Sequence, residues 1–271
     1  MKRLILPAVF LILLSSSMVR AQQSASPQVR QVSATPTAPS QPVMTPRQLA
    51  ELRADILVAR KMYPQAVSAY LRLARQEPKN PQLLNKLGMV YEMWGINGRA
   101  EHWFKQAIKA DRTYASAFNN VGTVEYAKHH YKGSEKWYKK ALKLRPDLAP
   151  VYSNLGYAYF DNKKYPLAMA AFEKAIELDP LIFQEHGEGG SVVQQRGMSN
   201  PGLFYYFVAR TYAQLGNAER AAHYLKMSRD DGYAKYTAAK ADPAFSRVIK
   251  SSLVQAVFAP VPEMVDNPRS R

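Results

Sequence analysis

Residues 153–180 read SNLGYAYFDNKKYPLAMAAFEKAIELDP, and the pattern has two earlier copies. Back by 34 residues, 119–146 read NNVGTVEYAKHHYKGSEKWYKKALKLRP; a further 34 back, 85–112 read NKLGMVYEMWGINGRAEHWFKQAIKADR. What recurs is size and polarity at fixed seats. Ala54, Gly88, Gly122 and Gly156 share the 34-residue spacing, as do Ala66, Ala100, Ser134 and Ala168. Tyr70, Phe104, Tyr138 and Phe172 follow, and Pro78, Arg112, Pro146 and Pro180 close each unit, Arg112 breaking the proline series after Asp111. The quoted unit contains two helical patterns, over 150–162 and 166–178. Small Gly156 and Ala168 let the two backbones approach, while Tyr152, Leu155, Tyr159, Phe172 and Ile176 fall at helical spacing and fill the seam. A single hairpin cannot bury its apolar face, so neighbouring hairpins must stack.

On these residues the chain resembles the tetratricopeptide-repeat family, whose unit is a 34-residue helix–turn–helix. The resemblance implies an all-α, right-handed superhelical solenoid over 46–258 with a C-terminal capping helix. Units fall at about 46–79, 81–114, 115–148 and 149–181. The first is degenerate, with Ala54 and Leu57 where glycine and tyrosine are usual. In the third, Glu125 takes the seat of Tyr91 and Tyr159, where a carboxylate needs a partner or water. A fifth unit, 202–232, is delayed: Tyr205, Val208, Ala209, Tyr212, Ala221 and Leu225 match the fourth at an offset of 53. The delay reads as a polar, glycine-rich insertion at 182–201. A cap over 233–258 is expected as short helices at 234–241 and 243–258, the latter entered through Asp242-Pro243.

The remaining segments are not repeat. Lys2 and Arg3 precede an apolar run, Leu4 to Leu14, and Val19-Arg20-Ala21 offers small residues before a cut, the pattern of a cleaved signal peptide over 1–21. A retained anchor is the alternative, but the run is shorter than the ~20 residues that span a bilayer. Residues 22–45 are rich in Gln, Ser, Thr, Ala and Pro and read as a disordered linker, with a flexible tail over 259–271. The chain has 271 residues, no cysteine and a net charge of +16, which falls to +13 once Lys2, Arg3 and Arg20 are removed. Without cysteine there are no disulfides, thiolate metal sites, thiol nucleophiles or lipidated N-terminal cysteine. The expected location is therefore periplasmic or secreted, and not as a lipoprotein.

No catalytic or cofactor motif emerges. His102, His129, His130, His186 and His223 stand in no ligand spacing, and Glu185, His186 and Glu188 are more simply explained by a polar loop than by a metal site. The HGEGG run at 186–190 lacks a preceding strand and a following GK[ST]. The resemblance directs attention to the first helices, which line a concave groove in this family and receive an extended peptide or a partner helix. The implied groove set is Asn85, Met89, Glu92, Asn119, Asn120, Thr123, Tyr126, Ser153, Asn154, Tyr157, Phe160, Tyr206 and Arg210. Asn120 and Asn154 hold equivalent seats, and an amide both donates and accepts, so it can satisfy a peptide backbone beside any side chain. The family's clamp for C-terminal carboxylates is not expected, because its seats hold Asn85, Met89 and Asn120.

A second surface is basic. Lys132, Lys136, Lys139, Lys140 and Lys143 share one face of the second helix of unit three, opposite Tyr138, Ala141 and Leu142. This convex patch is either a solvated face or a contact for an anionic lipid, polymer or acidic partner at the envelope. Export argues against nucleic acid. The sequence thus describes a non-catalytic interaction scaffold that binds a peptide or protein in its groove. The alternative is an envelope-surface adaptor working through the convex lysines.

Overall fold

The computed structural model describes residues 44–183 and 200–260. The expected signal peptide, nearly all of the linker, Glu185, His186, Glu188 and most of the insertion, and residues 261–271 lie outside the described residues. The described residues form one compact unit. Five helix pairs follow one another. They are α1 (Pro46–Ala59) and α2 (Tyr63–Gln76), α3 (Pro81–Met93) and α4 (Asn97–Ala110), α5 (Ala115–Ala127) and α6 (Tyr131–Leu144), α7 (Ala149–Asp161) and α8 (Tyr165–Leu178), then α9 (Pro201–Gln214) and α10 (Ala218–Asp230). Each of the first eight helices packs on the next, α9 packs on both α8 and α10, and α5 also touches α3 and α7. The described residues contain no strand. The fold is an all-α right-handed solenoid of helix–turn–helix repeats.

The small–aromatic seats are the locks of this stack. Gly88 lies under Phe104, Gly122 under Tyr138 and Gly156 under Phe172, so closely that an added Cβ would meet a ring carbon at 2.5, 2.6 and 2.3 Å respectively. Ala168 and all three rings are fully buried. Where alanine replaces glycine in the fifth unit, at Ala209, the facing seat holds the smaller Leu225. Each hairpin also turns through one left-handed residue, at Lys61, Gly95, His129, Lys163 and Gly216, with φ of 58, 81, 61, 58 and 79°. Three of these turns carry a Cβ in a region that favours glycine.

Polar seats find partners. Glu125 sits 3.5 Å from Lys128 and 3.4 Å from His130. Glu135, a buried residue of α6, accepts from Lys164 at 2.8 Å and from Asn162 at 2.9 Å, joining unit three to unit four.

Two features differ from the sequence expectation. The insertion is not polar from its start: Ile182 and Phe183 are buried, Phe183 packs between Tyr157, Phe172 and Phe204, and its carbonyl accepts from the Tyr224 hydroxyl at 2.8 Å. The cap keeps a short helix at 234–240, of 3-10 form, but the second expected helix, 243–258, is broken in two. Ala234–Lys240 and Pro243–Phe245 are 3-10 turns, and only Ser252–Val257 (α11) is α-helical beyond them. Asp242 accepts from the Ala244 N–H at 2.9 Å, which tightens the chain after Pro243 into a turn. Phe245, Val248, Val254 and Val257 carry the cap into the core.

Candidate functional site

α3, α5 and α7, the first helices of three successive units, enclose a pocket of about 680 Å3. Its floor is a row of amides. Asn154 of α7 donates to the Asn119 carbonyl at 3.0 Å, Asn119 donates to Asn120 at 3.2 Å, and Asn120 donates to Asn85 of α3 at 2.9 Å. Asn85 ends the row at the Met89 sulfur, 3.5 Å away. The interhelix links join residues 35 apart, so Asn120 and Asn154 do not bond to each other. Each meets the preceding unit's asparagine one residue out of the repeat register. Asn85 and Asn154 are buried and Asn119 and Asn120 half-buried. An amide has two N–H donors and two carbonyl lone pairs, so every member keeps capacity beyond the row.

Around this floor stand Met89, which is 40% exposed, Met93, Thr123 and Glu92. Tyr114, Ser116, Leu148, Pro150 and Val151 complete the wall. The sequence reading omitted these five and Met93. Four of them are paired by the period, Tyr114 with Leu148 and Ser116 with Pro150, but no member of either pair is in the expected set. Glu92 is half-buried, and loss of solvent pushes its carboxyl up to about 7. Among the described residues it has no hydrogen-bond or ion-pair partner.

The other half of the expected groove set lies elsewhere. Tyr157 is 0% exposed and Phe160 2%, both inside an aromatic cluster built with Phe204. Ser153 is fully buried, its hydroxyl without a partner among the described residues. Tyr126 is buried and donates its hydroxyl to Asp161; desolvation, then that bond, raise its pKa. Tyr206 and Arg210 are held by the cap, donating to Asp242 at 3.1 and 2.7 Å. Burial works against the Asp242 charge, but the Ala244 N–H and Arg210 outweigh it and keep the carboxyl below its ordinary value. None of these six residues lines the pocket.

On the opposite side, Lys132, Lys136, Lys139, Lys140 and Lys143 are all exposed. Lys139 lies over the Tyr159 ring at 5.4 Å and Lys140 over Trp137 at 4.2 Å. Among the described residues no group of His, Asp and Glu could hold a metal, and no helix is long and apolar enough to cross a membrane.

Three sequence profiles match the chain: "Tetratricopeptide repeat" over 52–115 and 149–180, and "TPR repeat" over 122–163. With the observed hairpins, they identify those stretches as tetratricopeptide repeats. No curated protein matches it by sequence comparison. Similar solved structures include MamA 41-end from Desulfovibrio magneticus RS-1, 18% identical, covering 71% of this chain and 99% of that one at a TM-score of 0.48. PilF of Pseudomonas aeruginosa is 19% identical, covering 72% and 96% at 0.47. YrrB, described as a TPR protein with an unusual peptide-binding site, is 18% identical, covering 71% and 91% at 0.45.

Proposed function

We propose that the protein is a non-catalytic scaffold, exported by its N-terminal segment, that holds an extended segment of a partner protein across α3, α5 and α7. The observation that carries this reading is the four-asparagine row flooring an open pocket. Backbone N–H and C=O groups of an extended chain need partners of both kinds, and the spare donors and acceptors of the row supply them. Met89 and Met93 add adaptable apolar contact for varied side chains. The pocket volume lies within the range typical of ligand sites.

Affinity capture from an envelope extract tests this, with three baits: the wild type, Asn120→Ala/Asn154→Ala, and a variant with Lys136, Lys139, Lys140 and Lys143 changed to glutamine. Groove binding requires that the same partner be lost from the first variant and kept by the second. The opposite pattern favours the second reading, an adaptor for anionic surfaces. That reading draws support from Lys132, Lys136 and Lys143, exposed and without an ion-pair partner among the described residues. Export is tested separately by N-terminal mass analysis, which should find Gln22 first.

A further inference from the structure

The pocket's charge runs against that of the molecule. The chain carries 37 Lys and Arg against 21 Asp and Glu, yet none of the thirteen residues lining the pocket is Lys, Arg or His, and its single charged group is the Glu92 carboxylate. Nearby cations are committed elsewhere. Lys86, next to Asn85 on α3, is held by Glu51 and Asp55 of α1 at 2.9 and 3.0 Å. Lys128, at the end of α5, is drawn to Glu101 and Glu125.

Glu92 differs from its neighbours in having been left alone. Glu125 has Lys128 and His130, and Tyr126, in the seat of Glu92 one unit on, has Asp161. A desolvated carboxylate without a partner is unfavourable in the empty groove; below about pH 7 a proton relieves that cost, and above it a cation arriving from outside would do so. The geometry points to a lysine or arginine side chain of the bound segment as the occupant: its cationic head on Glu92, its methylene stem along Met89 and Met93. This rests on the groove reading above and names the chemistry that the groove selects. Long cationic side chains suit such a site because the stem is apolar and the head is not. Desolvation of Glu92 gives it a carboxyl titrating near 7. Tyr114, the other titratable group on the pocket wall, is pushed upward by its own burial and stays neutral there. The contact should therefore strengthen as pH rises through 7, when Glu92 becomes charged.

Random peptides displayed on phage and selected on the immobilised full chain provide the test. The expected result is enrichment of lysine or arginine at one fixed position of the selected peptides. A synthetic copy should then bind Glu92→Gln about ten-fold more weakly, and an arginine-to-citrulline peptide should lose a similar factor against the wild type but nothing further against Glu92→Gln. Peptides indifferent to Glu92→Gln but weakened by Asn119→Ala/Asn120→Ala would overturn the cation site and leave the groove reading standing. Peptides indifferent to both variants, or no selected peptides, would overturn both.

Discussion

Met89, Thr123 and Tyr157 occupy one seat in three successive units, yet Met89 is 40% exposed and Tyr157 is 0% exposed. The next seat along the helix repeats the contrast, from half-buried Glu92 to Phe160 at 2%. The difference comes from the following unit. Ala117, Val151 and Phe204 are repeat equivalents, and only Phe204 is large enough to lie against both Tyr157 and Phe160, at ring distances of 5.1 and 6.0 Å. Phe207 takes the seat of Asn154 and Asn120, so the amide row stops where the aromatic filling begins. One repeat can thus carry either an open groove or an extension of the core, depending on what its successor presents.

The strongest way to break this comparison is to truncate both ends of the same seat. Tyr157→Ala should cost about 3–5 kcal/mol, as removal of a buried aromatic does, while exposed Met89→Ala should cost under ~1 kcal/mol. Urea unfolding with equal midpoints for the two variants would mean that the halves are alike. A smaller effect is expected at the glycine locks. Gly156→Ala should cost about 1–3 kcal/mol by overpacking against Phe172, and the pair Gly156→Ala/Phe172→Leu, which copies Ala209 and Leu225, should recover part of that loss. If adding Phe172→Leu only worsens Gly156→Ala, the lock is wrongly described.

At the closed end, Asp242→Asn should cost about 1–3 kcal/mol by weakening the hold on Arg210 and Tyr206. Faster amide exchange at 234–258 than in α3 would locate that loss in the cap. Because the folded Asp242 carboxyl lies below its ordinary value, its contribution is present above about pH 4 and disappears as pH falls through the folded value.

The smallest effect belongs to the open end and has the opposite sign. Glu92 binds its proton more tightly when folded than when unfolded, so stability falls as pH rises from its ordinary 4.5 to about 7 and then levels off. Glu92→Gln should remove that slope and stabilise the protein at pH 8, by less than the ~3 kcal/mol that the full shift would give because Glu92 is only half-buried, with little gain at pH 4. Thermal melts at the two pH values give the comparison, and a constant offset between wild type and variant would mean that Glu92 is not desolvated.

The helices were legible because periodicity is a property of the chain itself. The patterns at 150–162 and 166–178 lie within one residue of α7 and α8. The groove was legible only for the helix that bears it. Spacing says which face of α7 carries Tyr157, whereas its exposure depends on the size of Phe204, 47 residues later and beyond the insertion. Asn120 and Asn154 both line the pocket, but neighbouring units are turned relative to one another in a superhelix, and the amides meet at 35 residues instead of 34. Asp242 was read as the entrance to a helix, and nothing local to it signals Arg210 or Tyr206.

The three bonds that link the four asparagines all run in one sense, from α7 towards α3. Their amide dipoles therefore add along the row, with the hydrogen-bearing end at Asn85 and the oxygen-bearing end at Asn154. The result is a short fixed field across three helices, whose positive pole falls on the helix that also bears Glu92. An extended chain laid along it is not symmetric under reversal. Its peptide groups meet donors and acceptors in one order when it runs from α3 to α7 and in the other when it runs back, so the floor of the groove has a built-in direction before any side chain is recognised.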